Sequence, residues 1–473
     1  MSHTIYANGI HGDTGRPLLP GLTLEEIASF ARPQSERSEL EEYRRLKKLR
    51  EKDHLQPRFG IDPKNLAEAG WGVIFPEGRE SELRESLAPL LDLRREQAGR
   101  IRSGRYRELT YRRDESKGRF LARHGVGPGP VEPDRLPYYL LLVGDPVEIP
   151  FSFQYQLDVQ YAVGRLDSTD PLELRSYAET VVRAERGEVS RPRSLSFFAP
   201  SHPGDSATEL SASELVAPLL EQLAAERSTW DVESLLGDAA TKAELGRRLG
   251  GEQTPALLFT ASHGVGFECG DPRQLSNQGA LLCQDWPGAG TRALHAGDYF
   301  SAQDVDRCAS VAGLIAFVFA CYGAGTPAQD SFYREGLPEQ IAPRDFVAPL
   351  PRRLLGHPNG SALAVIGHVD RAWTYSFLWS TAEAQLAAFK SVLDALLDGH
   401  PVGSTMEYFN QRYAEVATDL GQLDEETRWG VAPDFMARSS LWVAMNDARC
   451  YVVLGDPAVR LAIEPATNGA SVG

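Results

Sequence analysis

Short runs of uninterrupted apolar residues constrain this chain more than any other feature. Tyr139-Leu140-Leu141-Leu142-Val143, Leu257-Leu258-Phe259 and Leu314-Ile315-Ala316-Phe317-Val318-Phe319 show no alternation, and each gives way to small or polar residues. A strand with one wet face alternates. A strand buried on both faces does not, and that is the mark of a parallel sheet covered by helices. Segments of helical period lie between the runs: 80–97, 171–186 and 214–225, the last with Leu215, Leu219 and Leu223 on one face. Strand–helix alternation predicts βαβ units. Further strands are expected at 71–76, 194–199, 363–367 and 451–455, a strand or turn at 161–166, and helices at 241–249 and 382–397.

At 473 residues the chain is too long for one simple core. Two adjacent α/β subdomains are expected, 61–193 and 194–465, with mostly parallel sheets flanked by helices. Residues 1–60 read as an extension. Gly9, Gly12, Gly15, Pro17, Pro20 and Gly21 mark loop there, and 36–52 carries Leu40, Tyr43, Leu46 and Leu49 as a narrow stripe on a solvated helix, with a regulatory role as the sharper reading. Residues 466–473 read as a disordered tail. The stretch 265–306, rich in Gly, Asp, Gln and Ser, is expected to be a long mobile loop gating the site.

No apolar run is long enough to span a membrane. The net charge of -16 excludes nucleic acid as the main partner and mildly favours basic peptides. Five scattered cysteines give no disulfide framework. With no charged-then-apolar stretch at Met1-Ser2-His3-Thr4-Ile5, a reducing cytoplasm is the expected location.

In parallel sheets chemistry sits beyond the carboxyl ends of the strands. His263 follows one apolar run and Cys321 another, so both are expected at neighbouring strand ends. A thiol beside an imidazole makes a nucleophile at neutral pH. Cys321 is then the candidate nucleophile and His263 the candidate general acid and base. Gly264-Val265-Gly266 and Tyr322-Gly323 allow close backbone approach, and the N–H groups of Gly264 and Cys321 are candidate oxyanion donors. Cys269, Cys283, Cys308 and Cys450 have no Cys-x-x-Cys spacing, and Cys269, Cys283 and His295 do not match a zinc pattern. Gly264-x-Gly266 lacks the third glycine of a dinucleotide fingerprint, and there is no Gly-x-Ser-x-Gly elbow. No metal or organic cofactor is expected. Two other readings stay open: a binding or scaffold protein without turnover, and a cysteine-dependent amidase acting on small molecules.

From about residue 65 to 465 the chain resembles the gingipain-like branch of caspase-fold cysteine peptidases. Tyr139 to Asp145 with Ile149-Pro150 resembles that family's "YVLLVGD…IP", and Ala162-Val163-Gly164-Arg165-Leu166 its "IGRF". His263-Gly264 and Ala320-Cys321 match its catalytic pair. Ala364-Val365-Ile366-Gly367 with Trp373 resembles a strand and the Trp-bearing loop that closes its specificity pocket, and Val453-Leu454-Gly455-Asp456-Pro457 its "FGDP". The resemblance implies an endopeptidase whose second subdomain is catalytic, taking a protein or peptide substrate. An activating protease or regulatory protein is the further partner it implies, in a regulated proteolytic or defence role inside the cell. Arginine-specific members place an acid at the base of the pocket, and matching the helix around Leu215 puts Glu209 there, implying cleavage after Arg or Lys. The family's acid near the catalytic His has no counterpart at 199–202. Asp205 is the nearest, so a third catalytic residue stays open.

Overall fold

A computed structural model describes residues 4–23, 26–27, 57, 60–168, 170–289, 291–332, 340–378, 385–432 and 434–465. The charged helix expected at 36–52 and the tail 466–473 lie outside them, as does the start of the helix expected from 382.

The apolar runs form a ten-stranded sheet. In chain order its strands are β1 Trp71–Pro76, β2 Tyr106–Tyr111, β3 Tyr139–Val143, β4 Ala162–Leu166, β5 Ser194–Ala199, β6 Asp231–Leu236, β7 Leu257–Ala261, β8 Ile315–Phe319, β9 Ala364–His368 and β10 Tyr451–Gly455. In space they run β6-β5-β7-β8-β9-β10-β4-β3-β1-β2. Neighbours are parallel throughout, except that β10 is antiparallel to β9. The two α/β halves are therefore parts of one sheet, and their strands point in opposite directions. The carboxyl ends of β5, β7, β8 and β9 share one edge. Helices flank the sheet, among them Glu80–Gly99, Pro171–Glu185 and Glu407–Arg428. Pro171–Glu185 begins on an Asp170 cap with proline in its first turn, the arrangement a helix start favours.

Strand β10 closes the join. Asp456, just past it, accepts from Trp71 Nε1 at 2.9 Å and from the buried Arg94 Nε at 2.7 Å. Its backbone N–H donates to the Tyr177 hydroxyl at 2.6 Å. The Gly-Asp-Pro at 455–457 is thus a structural clamp holding the last strand to the first half. Gly164 is required beside it, because a Cβ there would lie 2.2 Å from the Gly455 carbonyl oxygen.

Two expectations give way here. Residues 265–306 are not a long loop. Gly264–Gly266, Ala280–Leu282 and Tyr299–Phe300 are strands of a second sheet, with their own buried cluster of Val265, Phe267, Leu282, Trp286 and Tyr299. Isolated aromatic residues among the polar ones supply that core, and composition averaged over the stretch hides them. Nor is the start of the chain plain loop. Gly9–His11 and Arg16–Pro17 complete the same five-stranded sheet, and Thr4–Ile5 pairs with Leu22–Thr23. Among the described residues no helix is long and apolar enough to cross a membrane.

Candidate active site

The register sets the site. Ala261 of β7 lies opposite Phe319 of β8, so His263 and Cys321, each two residues further on, emerge side by side at the shared edge. The two backbones are so close that a Cβ on Gly264 would sit 1.8 Å from the Cys321 carbonyl oxygen, and glycine follows the histidine for that reason. Two residues with side chains take up left-handed backbone here, Tyr322 (φ 59°) and Asp370 (φ 73°). Each stores about 1–3 kcal/mol of strain that packing must offset. The Tyr322 N–H donates to the Asp370 carbonyl at 2.7 Å, tying the β8 turn to the β9 turn.

His263 is buried, and its Nε2 lies 2.6 Å from Asp205 Oδ2. A carboxylate only accepts, so Nε2 carries the proton and Nδ1, which has no hydrogen-bond partner among the described residues, keeps the basic lone pair. Asp205 arrives from the turn after β5, where it also caps the helix Ser206–Leu210. Burial pushes its carboxyl up, but the charge and hydrogen bond of His263, with help from His202 and Thr208, bring it net below its ordinary 3.8. Asp205, the nearest acid in the sequence, is thus the carboxylate that meets His263. Its cue was present, since an Asp three residues beyond His202 starts a helix, but only the fold brings that turn to His263.

The Cys321 thiol is fully buried and donates to the Ala372 carbonyl at 3.7 Å. Burial pushes its pKa well up against the opposing pull of Arg371, so it rests as a thiol. The N–H groups of Gly264 and Cys321 converge on one carbonyl oxygen, that of Asn8, at 2.8 and 2.9 Å. The two donors are thus aimed at a single point. Trp373 is wholly buried, 4.7 Å between ring centroids from Phe332, and its backbone bridges Ala7. Glu209 is not brought to the site. Its side chain is exposed and accepts from the Gly204 N–H at 3.0 Å. Ser211, two residues on, faces inward instead, with its hydroxyl 2.7 Å from Asn8 Nδ2. Neither Ser211 nor Asn8 carries a sequence signal, since serines and asparagines of this kind abound in helices and loops.

Fold and site together define an α/β protein with Cys, His and Asp gathered at one edge of its central sheet. No family model and no curated protein matches the chain. Among solved structures it is similar to one described as "Structure of Protease", at 12% identity over 83% of this chain and 78% of that one, with a TM-score of 0.47. It is also similar to the "Complex of Porphyromonas gingivalis RgpB pro- and mature domains", at 13% identity over 83% of this chain and 80% of that one, with a TM-score of 0.42.

Proposed function

We propose that the chain is a cysteine endopeptidase. Cys321 is the nucleophile, His263 the general base and then acid through Nδ1, and Asp205 the residue that orients the ring. The observation carrying this is the peptide carbonyl held between the Gly264 and Cys321 N–H groups, where the oxyanion of acyl transfer would form. A buried His–Asp pair beside a thiol is the arrangement by which a neutral thiol is activated as its proton is taken. A peptide as substrate suits the edge of residues 372–374, which pairs with extended chain. Free cysteines at all five positions suit action in a reducing compartment. The Arg or Lys preference rested on Glu209, and the exposure of that carboxylate removes its support.

The test is hydrolysis of a mixed protein substrate followed by mass spectrometry of the fragments, with wild type beside Cys321→Ala and His263→Ala. Fragments in the wild type alone support the reading. Equal fragments in all three would end it. Thiol labelling without any cleavage would favour the scaffold reading.

A further inference from the structure

The carbonyl held between the Gly264 and Cys321 N–H groups belongs to the chain itself. We propose that residues 4–8 fill this site as an intramolecular substrate, that the Asn8–Gly9 bond is the one cut, and that the pocket for the residue before the cut takes the neutral carboxamide of asparagine on Ser211. The inference rests on the peptidase reading above and adds its substrate class and its control.

The backbone of residues 6–8 runs antiparallel to 372–374. Asn8 N–H donates to the Ala372 carbonyl at 2.9 Å, Thr374 N–H donates to the Tyr6 carbonyl at 3.0 Å, and Tyr6 N–H donates to Thr374 Oγ1 at 3.2 Å. This is strand addition, the way extended peptides are held for cleavage. Ile5 and Ala7 are buried in one apolar cluster with Trp373 and Phe332. Beyond the bond, Gly9–His11 runs parallel to Gly264–Gly266. A Cβ on Gly9 would lie 2.8 Å from Cys321 Sγ, so the thiol sits against this bond and glycine is needed after it.

The Asn8 side chain is wholly buried, with Nδ2 donating to Ser211 Oγ at 2.7 Å. The Ser211 hydroxyl spends its one proton on the Ala207 carbonyl, also at 2.7 Å. It can then only accept, which an amide NH2 satisfies and an aspartate cannot. Ser211 opens a π-helical turn, Ser211–Val216, a bulge often found at functional sites.

In the reaction the Cys321 proton passes to His263 Nδ1 as Sγ bonds to the Asn8 carbonyl carbon. The bond to Gly9 breaks as Nδ1 returns the proton to the Gly9 amine. Water then hydrolyses the Asn8 thioester, with His263 taking its proton, and leaves a carboxylate at Asn8, a free amino group at Gly9 and the thiol restored. One water is consumed. Until the cut, the segment covers the thiol and excludes other substrates.

The test is the intact mass and amino-terminal sequence of the purified full chain. Alongside it runs cleavage of two blocked fluorogenic peptides, Ile-Tyr-Ala-Asn and Ile-Tyr-Ala-Arg. Wild type should begin at Gly9 and prefer the Asn peptide. Cys321→Ala and the isosteric Asn8→Asp should stay whole, and Ser211→Ala should be cut about tenfold more slowly, the worth of one good hydrogen bond. A wild-type chain that stays whole while cutting the Arg peptide better overturns this inference and leaves the peptidase reading standing. So does deamidation at Asn8 without a cut. Asn8→Arg processed as fast as wild type overturns the pocket assignment. No cut in the chain or in either peptide overturns this inference, and no fragments from the mixed protein substrate overturns the peptidase reading as well.

Discussion

At the scale of single residues, the Asp205–His263 contact decides which nitrogen can act. Asp205→Asn keeps the shape but presents an amide that can donate to Nε2, turning the lone pair the wrong way. It is expected to lower kcat on a cleaved peptide about 10²–10⁴-fold with little change in KM. A loss confined to KM would deny Asp205 this orienting role. Acid stability gives an independent reading. The folded carboxyl lies below its ordinary 3.8, so its contribution is whole above that value and is lost as pH falls through the depressed one. The stability gap between wild type and Asp205→Asn in urea should therefore shrink below about pH 4, and a gap that widens there would contradict the assignment. The placement of His263 and Cys321 at neighbouring strand ends was legible in the sequence, because each follows an apolar run whose end can be read locally. The contacts of Asp205 and Ser211 were not, because they form only where a helix start is packed against another strand's end. Glu209 shows the converse: a carboxylate near the right helix is not at the site unless the helix turns it inward.

At the scale of elements, the strands are sequence-encoded and their joining is not. Buried parallel strands read directly from continuous apolar residues, and β1, β3, β5, β7, β8, β9 and β10 fall where those runs predict. The amphipathic strands β2 and β6 lack that signal, with exposed or half-buried positions along most of their length, and went unread. The opposed direction of the two halves is set by β10, whose place between β9 and β4 depends on a side-chain clamp more than 250 residues from its partners in the first half, Trp71, Arg94 and Tyr177. Removing the cation of a buried pair strands its carboxylate, so Arg94→Ala should cost about 3–5 kcal/mol in chemical unfolding. A loss under about 1 kcal/mol would show that the clamp is not what closes the sheet.

At the scale of the whole molecule, residues 4–23 and the sheet edge that carries His263 and Cys321 form one structure. Thr4–Ile5 is held by Leu22–Thr23, Gly9–His11 extends the sheet that contains Gly264, and the Cys321 thiol lies beneath the segment between them. A sealed thiol reacts slowly. Iodoacetamide should label Cys321 at least about tenfold more slowly in uncut Asn8→Asp than in processed wild type, since the thiolate fraction rises once the cover leaves. Equal rates would mean that the segment does not shield the site. The central claim, that Cys321 and His263 perform peptide-bond cleavage, is tested most directly by fragment mass spectrometry on a mixed protein substrate with wild type, Cys321→Ala and His263→Ala at matched folded concentration. New peptide termini should appear with wild type and vanish with either variant, while near-wild-type cleavage by one of them would contradict it.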